Sequence, residues 1–155
     1  MAGQFESRLA ELGVVLADAP APAANYVPFV TVGDLVYVSG QISMENGEML
    51  TGKVGVDVSV EEGAAAARVC AINLLAQVKA ACGGDLDRLV KVVKLGGFVN
   101  SGPDFGDQPK VINGASDFLV EALGQEVGSH ARAAVSAGAL PFGVSVEIEG
   151  VFQIK

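Results

Sequence analysis

One stretch near the C-terminus limits what this chain can become. Residues 130–149 read H-A-R-A-A-V-S-A-G-A-L-P-F-G-V-S-V-E-I-E. They hold the only histidine of the chain, an arginine among small residues, a Leu-Pro-Phe-Gly turn and two glutamates. Residues 133–139 and 144–152 are short β-prone runs around the turn at 140–143, the pattern of a hairpin. Pairing Ala139 with Val144 puts Arg132, Ala134 and Ser136 on one face with Glu147, Glu149 and Val151. The other face carries Ala133, Val135, Ala137, Val146, Ile148 and Phe152; it is apolar and asks for a helix layer. The first face is small, polar and charged, which packing alone does not require. In this register Glu147 lies opposite Ser136, roughly 13 Å from Arg132 at ~3.3 Å per residue. Arg132 and Glu147 are then either unrelated or completed by groups from a neighbouring subunit.

The rest of the chain reads as a framework. Residues 4–13 form a short amphipathic helix, with Phe5, Leu9 and Leu12 at helical spacing and Gly13 as its stop. An Ala/Pro connector at 17–25 follows, in which Pro20 and Pro22 forbid helix. Residues 26–32 and 35–42 are β-prone runs joined at Gly33-Asp34, and Asn46-Gly47 marks another turn. Ser59 and Glu62 make a capping box that opens a helix running to about Cys82, closed by Gly83-Gly84. Its buried side is Ala67, Ala71, Leu74, Leu75 and Val78. Residues 89–100 are a nearly continuous apolar strand, where Gly96-Gly97 marks a bulge or a close backbone approach. A second helix covers 109–123, its apolar face including Val111, Ile112, Phe118 and Leu119, with Gly124 as stop. The order ββαβαββ predicts one α+β domain over residues 1–155, with two helices on one face of a mainly antiparallel sheet. Residues 1–24 add the N-terminal helix and connector.

Composition narrows the function classes. Half of the 155 residues are hydrophobic, and mean hydropathy is +0.44. No apolar run is expected to reach the roughly 20 residues that cross a bilayer, and no signal-peptide pattern opens the chain. The surplus apolar surface therefore points to a subunit interface, not to a membrane partner. A net charge of -8 with ten scattered Lys and Arg disfavours nucleic acid. Cys70 and Cys82 fall within one predicted helix, about 18 Å apart, too far to bridge; a reduced, cytoplasmic location fits. One histidine and two separated cysteines give no zinc-type ligand set, so no metal is expected.

Several motifs resemble those of the RidA/YjgF family. Ala131-Arg132 followed by L-P-F-G-V-S-V-E-I-E resembles its C-terminal signature. Tyr26 ahead of two strands, the second ending V-S-G-Q-I at 38–42, resembles its N-terminal motif. Val111-Ile112-Asn113 at the start of the second helix fits a third position. The similarity covers about 25–155, and the N-terminal helix suggests a longer subgroup. The resemblance implies a chorismate-mutase-like fold and a homotrimer with barrel-like packed sheets and clefts between subunits. It implies that Arg132 binds a substrate carboxylate and that Glu147 positions or activates water. Tyr26, Ser39, Gly40 and Asn113 would line the cleft, with Ala134 where cysteine is common and His130 where proline is common. These departures keep the carboxylate clamp and alter pocket size and polarity. Active members hydrolyse reactive 2-imino acids and 2-aminoacrylate to 2-keto acids and ammonia, with no cofactor. The partner implied is a small carboxylate or imino-acid metabolite.

Each residue also has a plainer use. Arg132 suits a cross-sheet ion pair, and Glu147 and Glu149 suit solvated strand positions. His130 is a tempting general base, yet a lone histidine at a strand start also serves as a loop or interface residue. Tyr26 suits a strand edge, Asn113 a helix hydrogen-bonder, and both cysteines small core positions. Three functions follow: an imine deaminase, a non-catalytic binder of carboxylates in the same cleft, and an RNA-acting protein. The acidic balance fits the last of these least.

Overall fold

Turn chemistry and capping place the elements where the residue pattern predicts them. A computed structural model describes residues 3–19 and 24–155; Pro20 and Pro22 of the connector lie outside the described residues. Strands β1 (Phe29–Val32) and β2 (Leu35–Ile42) pair antiparallel around Gly33, whose φ is +61°. Strands β3 (Met44–Glu45) and β4 (Glu48–Met49) close on Asn46 and Gly47, both with positive φ, as a primed turn requires. Helix α2 (Val60–Ala81) opens on the expected capping box: the Glu62 backbone N–H donates to Ser59 Oγ at 3.1 Å, and the Ser59 N–H donates to the Glu62 carboxylate at 2.8 Å.

Helix α1 (Gln4–Glu11) buries Phe5 and Leu9. Its first amides donate to the Asp87 carboxylate at 2.8 and 3.1 Å, a cap supplied from a distant part of the chain. Arg8 Nε ties it to the Glu121 carbonyl at 3.2 Å, on helix α3 (Gln108–Gly128). Within α3, Gly124 has φ +85° and ψ 161°, so the helix breaks at the predicted stop and one further turn follows. Helix α2 is long and apolar enough by length and composition to cross a bilayer, contrary to the expectation above, but 56% of that window is buried within the domain. It serves as the core helix.

Strand β5 (Leu89–Asn100) lies next to the edge of a five-stranded sheet ordered β1-β2-β7-β5-β6. Strand β6 (Ala131–Ala137) pairs with β5 in parallel, and β7 (Val146–Ile154) lies antiparallel between β2 and β5. The expected hairpin of 133–139 with 144–152 is therefore wrong. The turn itself is real, a 3-10 segment at Pro141–Gly143 with Phe142 at φ +59°, yet it joins strands that are not neighbours. The β5-α3-β6 unit is a crossover, which returns β6 parallel to β5. The chain must then pass β5 to reach the gap beside β2. The other strand irregularity differs too. Register shifts in β5 fall between Leu89 and Lys91 and between Val92 and Lys94, not at Gly96-Gly97. Gly97 is instead a close approach, since a Cβ there would meet Ile112 Cδ1 at 2.7 Å.

All three helices cover one face of this mostly antiparallel sheet. The core lies between them and the sheet, with Leu74, Leu75, Leu95, Ile112, Leu119, Ile148 and Phe152 fully buried. Helices α2 and α3 approach so closely that a Cβ at Gly114 would overlap the Ala64 carbonyl. A Gly114→Ala variant is therefore expected to lose about 3 kcal/mol in urea unfolding, since the obstacle is backbone. Gly102, with nothing within 4 Å, is the control, and its alanine variant should stay within about 0.5 kcal/mol of wild type.

Candidate functional site

The sheet register decides which side chains can meet. A Cβ at Gly97 would touch Ile112 of α3, so Gly97 faces the helices, and Gly96 faces the uncovered side. Glu149 lies over Gly96, with its Cγ 3.0 Å from where a Cβ would sit. Glu149 and, two residues away, Glu147 thus project from the uncovered face. Arg132 is registered with Leu95, which is fully buried, and so points to the helix side. The expected common face for Arg132 and Glu147 is overturned. The β7 half of the face assignment holds, with Val146, Ile148 and Phe152 buried under the helices. The β6 half is inverted, because β6 takes its register from β5 and not from β7.

Two separate groups result. On the sheet edge, Arg132 NH1 donates to Ser116 Oγ at 2.9 Å and NH2 to the Pro109 carbonyl at 3.2 Å. His130 Nε2 lies 2.9 Å from the same Ser116 Oγ, and its Nδ1 lies 2.6 Å from the Gly128 carbonyl. The guanidinium is thus braced by neutral groups, and among the described residues no carboxylate pairs with it. Asn113 stands exposed on α3, one turn before Ser116. Ala134 is two residues along from Arg132, on the helix side, half-buried against the core.

The second group sits two strands away. Glu147 lies over Gly40, where a Cβ would overlap its carboxylate as placed. Gly40 falls in the β2 register shift between Val38 and Gln41. Ser39 Oγ donates to the Val27 carbonyl at 2.9 Å, and the Ser39 N–H to the Pro28 carbonyl at 2.9 Å. These bonds hold the segment that carries Tyr26, which is 48% exposed. Tyr26, Ser39, Gly40 and Glu147 therefore form one half, and Arg132, Asn113, Ala134, His130 and Ser116 the other. Glu147 registers through Phe98 with Val135, three residues from Arg132. With two strand spacings of ~4.8 Å the two groups are roughly 14 Å apart, and on opposite faces.

The electrostatics of each half are perturbed. Burial pushes the Glu147 carboxyl above its ordinary value, and the neighbouring Glu149 adds to this. Burial holds His130 below its ordinary value; the Gly128 carbonyl bond opposes this, and the Arg132 and Lys91 cations reinforce it. Ser116 was invisible to sequence reasoning. A serine within an apolar helical run gives no local signal, and only the parallel pairing of β6 brings Arg132 against it.

The chain is thus a single-domain α+β protein with a sheet-edge arginine braced without an acid among the described residues, and, apart from it, a part-buried glutamate over a glycine in the β2 register shift. The family described as "YjgF/chorismate_mutase-like, putative endoribonuclease" matches residues 6–149. The chain belongs to this YjgF family, as its motifs suggest. It is 46% identical over 154 residues to Protein TCP17 of Trypanosoma cruzi, covering 99% of this chain and 96% of that protein. Among solved structures, a protein of unknown function from Agrobacterium tumefaciens, Atu1372, matches with TM-score 0.91 and 52% identity, over 97% of this chain and 92% of that one. E. coli TdcF with bound serine matches with TM-score 0.63 and 25% identity, over 88% of this chain and 94% of that one.

A carboxyl whose pKa is raised by folding favours the fold while protonated and disfavours it as pH rises through its titration. Glu147→Gln is therefore expected to gain on wild type in Tm as pH rises through the carboxylate range. Carbon-detected NMR should place the Glu147 midpoint above that of an ordinary glutamate, and Glu149→Gln should lower it.

Proposed function

We propose that this protein is an imine and enamine deaminase that hydrolyses small 2-imino acids in clefts between copies of a homotrimer. The observation that carries the reading is the Arg132 guanidinium, half-buried and held at two N–H groups by neutral partners. A cation kept in place and left without an acid suits an incoming carboxylate. Three of its five N–H donors remain for that ligand.

The two half-sites on opposite faces support an assembled cleft, because neither half is complete in one chain. The uncovered sheet face also exposes Val30, Val32, Tyr37 and Val135 at 47–62%. Such a face on a five-stranded sheet is suited to burial against a neighbouring copy. In this reading Tyr26, Ser39, Gly40 and Glu147 of one subunit meet Arg132, Asn113 and Ala134 of the next. The serine bound to TdcF, itself a small amino acid with a carboxylate, is a ligand of the class proposed here.

The chemistry asks little of the protein. An enamine such as 2-aminoacrylate gains a proton at its terminal carbon, gives one up at nitrogen and becomes the imine. Arg132 fixes the carboxylate, and Glu147 takes a proton from water as the oxygen adds to the C=N carbon. Glu147 returns that proton to the nitrogen, and the resulting carbinolamine passes its hydroxyl proton to the nitrogen as ammonia leaves, giving the 2-keto acid. The raised Glu147 pKa makes its carboxylate a stronger base than an ordinary glutamate. No metal or cofactor enters this route. The free, buried cysteines suit a reduced cytoplasmic setting.

A second reading, a non-catalytic carboxylate binder, uses the same arginine. The endoribonuclease label of the family invites a third. Its burden is a net charge of -8, which repels a phosphate backbone.

The test generates 2-iminobutanoate in the cuvette and follows its loss. Wild type is expected to exceed buffer, Arg132→Ala to lose about 100-fold in kcat/KM, and Glu147→Gln to lose about 100-fold or more. A wild-type trace equal to buffer, with an Arg132-dependent rise in Tm on adding a 2-keto acid, would leave the binder. Light scattering should give about 47 kDa, three copies of a 15.7 kDa chain.

A further inference from the structure

We propose that Ser116 and His130 are positioning residues for Arg132, forming a proton-linked brace that tightens on an anion when His130 is protonated. The inference rests on the carboxylate-binding reading of Arg132 above.

The hydrogen-bond order follows from which groups can only accept. The Gly128 carbonyl, 2.6 Å from Nδ1, has no proton to give, so Nδ1 carries the hydrogen. In the neutral ring Nε2 is then an acceptor, and the Ser116 hydroxyl at 2.9 Å donates to it. That leaves a Ser116 lone pair directed at Arg132 NH1, also at 2.9 Å. One carbonyl thereby fixes the tautomer, the tautomer fixes the hydroxyl, and the hydroxyl fixes the guanidinium. The brace spans α3, β6 and the link between them. Ser116 and Gly128 lie on α3, Arg132 lies on β6, and His130 stands just before β6.

Protonation rearranges it without moving heavy atoms. With a hydrogen on Nε2 the imidazolium donates to Ser116 Oγ, which then accepts from both His130 and Arg132. The Ser116 hydroxyl hydrogen is released and can turn to an oxygen lying on the guanidinium. The charged groups around His130 set the direction of coupling. Among the described residues, helix α3 meets the ring through the Ser116 hydroxyl and the Gly128 carbonyl, while β6 presents Arg132 and β5 presents Lys91. Lys91 is anchored to the Glu126 carbonyl at 2.7 Å and to Ser129 Oγ at 2.9 Å, beside the same turn. Two cations oppose a third charge on His130. An anion on Arg132 cancels part of that opposition, so anion and proton assist each other. Affinity for the carboxylate then rises as pH falls through the His130 titration.

Because His130 is the only histidine in the chain, nitrogen NMR reads it without ambiguity. The experiment titrates His130 in wild type, Ser116→Ala, His130→Gln and Arg132→Gln, with and without 2-oxobutanoate, and measures keto-acid affinity across the same pH range. The expected ring carries its proton on Nδ1, and its midpoint rises when 2-oxobutanoate binds. Arg132→Gln should raise the midpoint and abolish the response to ligand. Ser116→Ala should weaken the affinity about three- to tenfold, the range for one hydrogen bond. His130→Gln offers both an acceptor and a donor, so it should keep most of the affinity and lose its pH dependence. A proton on Nε2 in the neutral ring would overturn the inference. So would a midpoint that ignores bound keto acid, or a Ser116→Ala variant that binds as wild type does. Those results leave the carboxylate reading standing. A wild type that binds no 2-keto acid at all overturns that reading and this inference together.

Discussion

The parallel pairing of β6 with β5 is the constraint on which the site depends. It registers Arg132 with buried Leu95, turning the guanidinium toward α3, where Ser116 and the Pro109 carbonyl receive it. It also leaves β7 free to lie between β2 and β5, which carries Glu147 to the uncovered face above Gly40. An antiparallel β6–β7 hairpin would have set both charges on one face of one chain. The crossover instead sets them on opposite faces, roughly 14 Å apart.

Each half carries a cost that its neighbours only partly offset. The Arg132 cation is half-buried and, among the described residues, receives a hydroxyl and a carbonyl, not a carboxylate. Glu147 is drawn from water beside a second glutamate. In the proposed trimer these opposite charges would meet across an inter-subunit cleft and complement a charged, polar substrate. The exposed valines and Tyr37 on the same sheet face supply an apolar area for such an assembly.

Local signals in the sequence were legible, and non-local ones were not. Ser59 with Glu62, Gly33-Asp34 and Asn46-Gly47 each act within a few residues, and each stands where its chemistry predicts. Gly97 is a close backbone approach because Ile112 packs on it, one of the two meanings a strand glycine offers. Gly96 lies beneath Glu149 on the other face, a role that only the register reveals. The turn at 140–143 was legible as a turn, but not which strands it joins, since pairing partners are settled by the crossover helix far upstream. That single error inverted the β6 face and hid Ser116, whose role exists only through its contact with a strand 16 residues away. Arg132 and Glu147 were singled out through their motif, and their placement on opposite faces came from the structure alone.

Mixing subunits tests the divided site most directly. Arg132→Ala and Glu147→Gln chains, each inactive alone in imine hydrolysis, are co-refolded in equal amounts and assayed as hybrids. If the cleft takes its arginine from one copy and its glutamate from the next, on the order of a quarter of the wild-type rate returns, because a cyclic trimer presents each interface between two randomly chosen chains. If the mixture stays as inactive as its parents while wild-type trimers turn over the imine, the two residues do not act across a shared interface, and the account fails.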